Sequence, residues 1–118
     1  MASAEELFRR LTIGDQTLLA TIALRDDGGG VVTRLDERTE ALIRIGALVA
    51  LDATQSSYHA AVEDALLAGA SMDDLLAVLV AIAGSVGSTR IVSAAPRIAL
   101  AAGYDVEFAL EQPEGSLR

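Results

Sequence analysis

The sequence predicts an all-α fold, a compact helical domain of five to six helices that spans residues 1–118 and forms a homo-oligomer. Three observations lead to this prediction. Helix-capping residues precede the apolar runs, and glycines follow several of them. Alternating apolar and polar residues occur only in "GVVTRL", so no sheet is expected. The length fits one domain with a single core.

The first part of the chain contains two predicted helices and a loop. The spacing of a capping box precedes "EELFRRL", and Gly14 interrupts that helix. Asp15 begins the second helix, "QTLLATIAL". Three consecutive glycines in "RDDGGGVVTRL" raise the entropic cost of order, so we expect a mobile loop there.

Two further helices are predicted in the middle of the chain. Asp36 begins the first, which carries Glu40 and Arg44 four residues apart. This order of charges stabilises an exposed helix face by about 0.2–0.5 kcal/mol. The second runs over residues 55–68 and ends at Gly69, a suitable left-handed cap.

The next predicted helix, "MDDLLAVLVAIAGSV", supports the homo-oligomer. Ser71 caps it, and after Asp74 it is apolar all the way round. A helix without a polar face must be covered on every side, and in a chain this short we expect another subunit to supply part of the cover. Leu79→Glu tests that contact if Leu79 lies between subunits.

The last predicted helix, "TRIVSAAPRIALAAG", ends at Gly103. Pro96 lies inside it, so we expect a kink or a break. The tail after Phe108 ends in "QPEGSLR", and we expect it to be frayed.

The charge balance excludes several classes of function. Nine basic and seventeen acidic residues give a formal charge of −8, which argues against partners such as nucleic acid or an anionic membrane surface. No targeting segment or membrane span is predicted, so we expect a cytoplasmic protein. The absence of cysteine excludes disulfides and thiolate metal sites, and we expect no cofactor and no bound metal.

Residues 35–105 carry a resemblance to a known family. "LDERTEALIRIGALVALDA", followed by "SYHAAVEDALLAGASMDDLLAVLVAIAGSVGSTRIVSAAPRIALAAGYD", resembles the carboxymuconolactone decarboxylase family, which includes alkylhydroperoxidase D. The resemblance implies an all-α fold and a homo-oligomer, commonly a trimer or a hexamer. Some family members decarboxylate a lactone, whereas others reduce peroxides with two cysteines, a histidine and a glutamate.

This chain departs from the family pattern at the catalytic positions. With "ALLAGA" as the anchor, the two cysteine positions fall on Thr54 and Ser57. The histidine position falls on Ala61, and the glutamate position falls near Ala41, beside Glu40. We therefore expect the thiol peroxidase chemistry to be lost.

His59 is the single histidine of the chain and the one side chain that ordinarily titrates near neutral pH. At about 100° per residue it lies nearly opposite Ala61 on the helix, so it does not replace the family histidine. The simpler interpretation is a histidine at the rim, paired with Glu63 four residues later. His59, Tyr58 and Glu40 remain the candidate acid–base groups.

Four other residues are candidates for binding a substrate. Thr54 and Ser57 could hold an anionic ligand at a helix start, although one of them acting as a helix cap is the simpler interpretation. Arg90 and Arg97, seven residues apart on one helix face, could bind a carboxylate, although a solvated or intersubunit face is more common.

Two functions follow from the sequence. The first is a carboxymuconolactone decarboxylase-like enzyme, a cofactor-free lyase or isomerase that acts on a small organic acid or lactone. The second is a non-catalytic binding or assembly protein that keeps the fold. Whether the chain is an enzyme depends on whether one of its acid–base candidates faces a substrate.

Overall fold

A computed structural model describes residues 3–23 and 34–112, and all its regular structure is helical. The all-α prediction is confirmed, because these residues contain no strand. They form seven helices, one more than the upper expectation. The helices are α1 (Ala4–Thr12), α2 (Gln16–Ala23), α3 (Glu37–Ala50), α4 (Gln55–Leu67), α5 (Met72–Val86), α6 (Ser88–Ala101) and α7 (Val106–Leu110).

The chain divides into two compact units, residues 1–34 and residues 35–118. In the first unit, α1 and α2 are joined at Gly14, whose φ of 72° suits glycine. Arg10 Nε donates to Asp15 Oδ2 at 2.8 Å across this turn. The same carboxylate accepts a hydrogen bond from the backbone N–H of Leu18 and so begins α2.

The second unit is built from four packed helices, with α7 against α6. Helix α3 packs against α4 and α5, and both of these pack against α6. The core consists of small and branched side chains and one tyrosine, which follows from the scarcity of aromatic residues. Its buried members are Ala41, Ile45, Val49, Tyr58, Val62, Ala65, Ala70, Leu75, Leu79, Ala94 and Ile98.

The predicted helix boundaries of this unit are confirmed. Asp36 and Ser71 cap α3 and α5 with their side chains, and Asp74 completes a capping box with Ser71. Helix α4 ends at Leu67, and Gly69 follows in the left-handed region with a φ of 97°. These boundaries depend on interactions within a few residues, which is why the sequence predicts them.

Helix α6 continues through Pro96, so the predicted break does not occur. Proline removes one backbone N–H, but α6 is held by α4 on one side and α5 on the other. The seventh helix, α7, is short, and Asp105 caps it by accepting a hydrogen bond from Phe108 N. Most of the predicted mobile loop, residues 25–33, and the end of the predicted frayed tail, residues 113–118, lie outside the described residues.

Helices α3 and α5 approach closely at Gly46. A Cβ atom there would meet Val78 Cγ1 at 3.7 Å and Ile82 Cγ2 at 3.8 Å. Val78 and Ile82 therefore mark the side of α5 that faces α3. The exposed side of α5 that carries Leu76 and Val80 points away from α3.

Candidate functional site

A polar cluster joins the α3–α4 turn to α6. Arg97 Nη1 donates to the backbone carbonyl of Ala53 at 3.0 Å, and Gln55 Nε2 donates to the carbonyl of Arg97 at 2.8 Å. Both bonds are partly buried. They hold the guanidinium of Arg97 over the start of α4.

Asp52 lies in the same turn in an unusual conformation. Its φ is 53°, the one positive value at a residue other than glycine in the described ranges. Aspartate tolerates this region better than most residues do, because its short side chain can form local hydrogen bonds. Here Asp52 Oδ1 accepts a hydrogen bond from Ser93 Oγ of α6 at 3.3 Å.

Tyr58, on the first turns of α4, is 1% exposed. Burial raises the pKa of its phenol, the charge of Asp52 raises the pKa further, and the charge of Arg97 lowers it. The phenol therefore stays protonated at neutral pH and can donate a hydrogen bond. No described residue forms a hydrogen bond with its hydroxyl.

The Tyr58 hydroxyl is not sealed inside the core. No fully buried side-chain nitrogen or oxygen among the described residues lacks a hydrogen-bond partner. An unpartnered hydroxyl must therefore reach the surface. The charges of Asp52 and Arg97 both act on this phenol, and both residues belong to the polar cluster at the start of α4.

His59 is exposed on the neighbouring side of α4. The predicted pairing with Glu63 is wrong, because no hydrogen bond or ion pair joins these two described residues. Both side chains point into solvent, where a weak pair is not held in one geometry. The structure does not bring His59 into the polar cluster.

Glu40 forms the ion pair that its spacing predicts. Arg44 Nη2 lies 3.4 Å from Glu40 Oε2, and the carboxylate side chain is 19% exposed. This contact lies on α3, away from the turn that carries Asp52. Glu40 and Tyr58 therefore do not act as a pair through any contact in the described part of the chain.

Thr54 and Ser57 serve the start of α4, as the simpler interpretation predicts. Thr54 Oγ1 accepts a hydrogen bond from the backbone N–H of Ser57 at 3.4 Å and also lies 3.2 Å from Ser57 Oγ. The neighbouring Ser56 hydroxyl lies 3.1 Å from Thr54 Oγ1. The hydroxyl groups of Ser56 and Ser57 thus both bond to that of Thr54 at the helix cap.

The two arginine candidates have different surroundings. Arg97 is half-buried in the cluster, whereas Arg90 is exposed and forms no hydrogen bond or ion pair within the described residues. Asp52 and Ser93 are site residues that sequence reasoning missed. Their contact joins positions 41 residues apart, and no local pattern marks such a pair.

A second feature is a set of exposed apolar side chains on α5 and α6, called here the α5–α6 face. On α5 it comprises Met72, Leu76 and Val80, spaced four residues apart and all exposed. On α6, Val92 is exposed as well. The α5–α6 face is defined by these four exposed apolar side chains.

The described residues contain neither a candidate metal site nor a helix able to span a membrane. No group of three histidine or acidic side chains in residues 3–23 and 34–112 could hold a metal ion. None of the helices there combines the length and the apolar character that crossing a bilayer requires. Comparison with protein-family models, curated proteins and solved structures finds no match for the chain.

Proposed function

We propose that this chain is a self-associating assembly protein that uses the α5–α6 face as its contact between subunits. The single observation behind this proposal is the run of exposed apolar side chains without a charge. Leu76 is 58% exposed, Val80 is 70% exposed and Val92 is 72% exposed. Large exposed apolar patches mark interaction sites on folded proteins, and these side chains together would form such a patch.

The charge of the molecule favours a second copy as the partner. The chain carries a formal charge of −8, yet the stretch between Asp74 and Arg90 contains no charged residue. Copies of the same acidic chain repel one another, so a contact that carries no charged residue is favoured over one that does. The α5–α6 face avoids that repulsion.

The resemblance to the carboxymuconolactone decarboxylase family supports the same proposal. It implies a homo-oligomer, a trimer or a hexamer, with an alkylhydroperoxidase D-like arrangement of helices. The positions of the family's cysteine pair and histidine hold Thr54, Ser57 and Ala61, and His59 is exposed. Assembly without the family's thiol chemistry fits these residues.

Leu76→Glu tests the contact, and Leu67→Glu is its matched control. Both leucines are exposed, at 58% and 80%, but Leu67 ends α4 and lies outside the α5–α6 face. We expect sedimentation of the wild type and of Leu67→Glu to show the same oligomer, and Leu76→Glu to sediment as a monomer. A monomeric wild type at micromolar concentration contradicts the proposal.

Leu79, the test position that the sequence offers, is not suitable. It is only 7% exposed and belongs to the core of its own chain. A glutamate there would bury an unpaired charge and unfold the subunit, which would not report on a contact between subunits.

A cofactor-free lyase or isomerase acting on a small organic acid or lactone is a second candidate. The observation that favours it is the buried, protonated Tyr58 beside Arg97. Arg97 would bind the substrate carboxylate and Tyr58 would act as a general acid. Turnover of a carboxylate or lactone that survives in Tyr58→Phe would exclude this role for the phenol.

A further inference from the structure

The conformation of Asp52 is the starting observation. At the other described positions with positive φ the chain has glycine, namely Gly14, Gly69, Gly87 and Gly103. Asp52 alone accepts the steric cost that Cβ brings to this region. This conformation ends α3, where the backbone N–H of Ala53 donates to the carbonyl of Leu48 at 3.1 Å. Unlike glycine at such a position, Asp52 adds a carboxylate to the turn.

The carboxylate of Asp52 can accept further hydrogen bonds. Oδ1 accepts one hydrogen bond of 3.3 Å from Ser93 Oγ, which is long for a bond between a hydroxyl and a carboxylate. Oδ2 has no hydrogen-bond partner among the described residues. A carboxylate can accept about four hydrogen bonds, so Asp52 can accept one from a ligand.

Arg97, in the same cluster, also has hydrogen-bond donors without a described partner. One N–H of Nη1 is committed to the carbonyl of Ala53, which orients the planar guanidinium. Nε and Nη2 have no partner in the described part of the chain. A guanidinium has five donors in a fixed fork, so an oriented one can bind a carboxylate through two of the others.

Tyr58 supplies the third group. Its side chain is buried, its hydroxyl has no described partner, and the nearby charges are those of Asp52 and Arg97. A buried tyrosine normally finds a partner for its hydroxyl. One ligand can serve all three side chains if it has both a hydrogen-bond acceptor and a hydrogen-bond donor.

We propose that Asp52, Tyr58 and Arg97, with Ser93 behind Asp52, form a binding site for a small carboxylic acid that carries a donor beside its carboxylate. Arg97 and Tyr58 hold the carboxylate. Asp52 accepts from the adjacent hydroxyl or ammonium group, and Ser93 positions Asp52. Hydroxy acids and amino acids share this chemistry. The site is independent of self-association and shares Tyr58 and Arg97 with the lyase candidate.

Three probes separate the parts of this proposal. Lactate carries a hydroxyl beside the carboxylate, alanine carries an ammonium group there, and propionate carries neither. Each is titrated into the ¹⁵N-labelled full chain while the backbone amide signals of Asp52, Ala53 and Ser93 are followed. We expect saturable shifts with lactate or alanine, and binding of propionate about ten-fold weaker because Asp52 then lacks a partner.

Variants give the same test a second readout. We expect Tyr58→Phe, which keeps the shape of the ring, and Arg97→Gln to weaken lactate or alanine binding at least about ten-fold. Arg90→Gln is the control and leaves binding unchanged, because Arg90 lies outside the cluster.

The proposal is overturned by three results. One is the absence of saturable shifts with all three probes up to about 50 mM, where a site with a Kd of about 1 mM would be filled. Another is propionate binding as tightly as lactate and alanine. The third is binding that Tyr58→Phe leaves unchanged. Binding without turnover contradicts the lyase candidate and leaves this site standing.

Discussion

The guanidinium of Arg97 on α6 bonds to the backbone carbonyl of Ala53 in the α3–α4 turn, with Nη1 3.0 Å from the oxygen. In the other direction, Gln55 on α4 donates a hydrogen bond to the carbonyl of Arg97. Two positions more than forty residues apart in sequence are thus joined in both directions. The joint positions α6 against α4 and sets the place of the polar cluster.

Arg97→Ala should therefore destabilise the protein by about 1–3 kcal/mol, because the partly buried carbonyl of Ala53 loses its partner. Arg90→Ala removes the same side chain from an exposed position and should change stability by less than about 0.5 kcal/mol. Urea unfolding of both variants measures the difference. Equal losses would show that the bond to Ala53 contributes nothing.

Asp52→Ala should lower stability by about 1 kcal/mol, because alanine has no side-chain hydrogen bond to offset the positive φ. Asp52→Asn should stay within about 0.5 kcal/mol of the wild type, since asparagine tolerates the same region and can still accept from Ser93. Thermal unfolding compares the two. An alanine variant as stable as the asparagine variant would be inconsistent with this account.

His59→Gln should leave the free energy of unfolding within about 0.5 kcal/mol of the wild type, because His59 is exposed and unpaired among the described residues. Any activity found for the protein should also be nearly unchanged. A general base at this position would instead give a loss of about 10²–10⁴-fold in turnover. Such a loss in a folded variant would restore His59 as a catalytic residue.

Gly46→Ala should stabilise the protein by up to about 1 kcal/mol. The new Cβ would lie at ordinary van der Waals distance from Val78 and Ile82, and alanine is the better helix former. Gly69→Ala is the control and should lose stability, because the φ of 97° at this position strains any side chain. If both variants lose stability in thermal unfolding, the contact between α3 and α5 is tighter than described.

The capping box of α5 should make stability depend on pH. The pKa of Asp74 lies below its ordinary value of 3.8, chiefly because the backbone N–H of Ser71 donates to the carboxylate. The unfolded chain takes up this proton at a higher pH than the folded chain does. The contribution is therefore present above about pH 4 and is lost as the pH falls further.

Asp74→Asn isolates this contribution, because the amide oxygen can still accept from Ser71 while the titrating group is gone. Urea unfolding between pH 6 and pH 3 should show a smaller loss of stability on acidification for this variant than for the wild type. Parallel curves would assign the acid sensitivity to other carboxylates.

The parts of the fold that were predictable from sequence are those set by neighbouring residues. Ser71 and Asp74 lie three positions apart, so their spacing alone predicts the cap that the structure shows. The position of Gly69 likewise predicts the end of α4. By contrast, the contact between Asp52 and Ser93 depends on how α6 packs, and no spacing rule encodes it.

Two interpretations failed for reasons of packing. The break that Pro96 makes possible does not occur, because contacts with α4 and α5 hold α6 through it. Because α5 is apolar on all sides, its sequence does not indicate which side faces the core. Leu79 proved to be internal and Leu76 external, and the sequence treats the two leucines alike.

In the proposed assembly, the α5–α6 face attracts copies of a molecule whose net charge otherwise repels them. At an ionic strength of about 0.01 M the charge of neighbouring copies is felt over about 30 Å, and the net charge of −8 keeps the copies apart. Near 0.15 M that range shrinks to about 8 Å, which is closer to the scale of the contact itself. If the proposed contact forms, added salt should therefore favour the oligomer, the opposite of its effect on an assembly held by ion pairs.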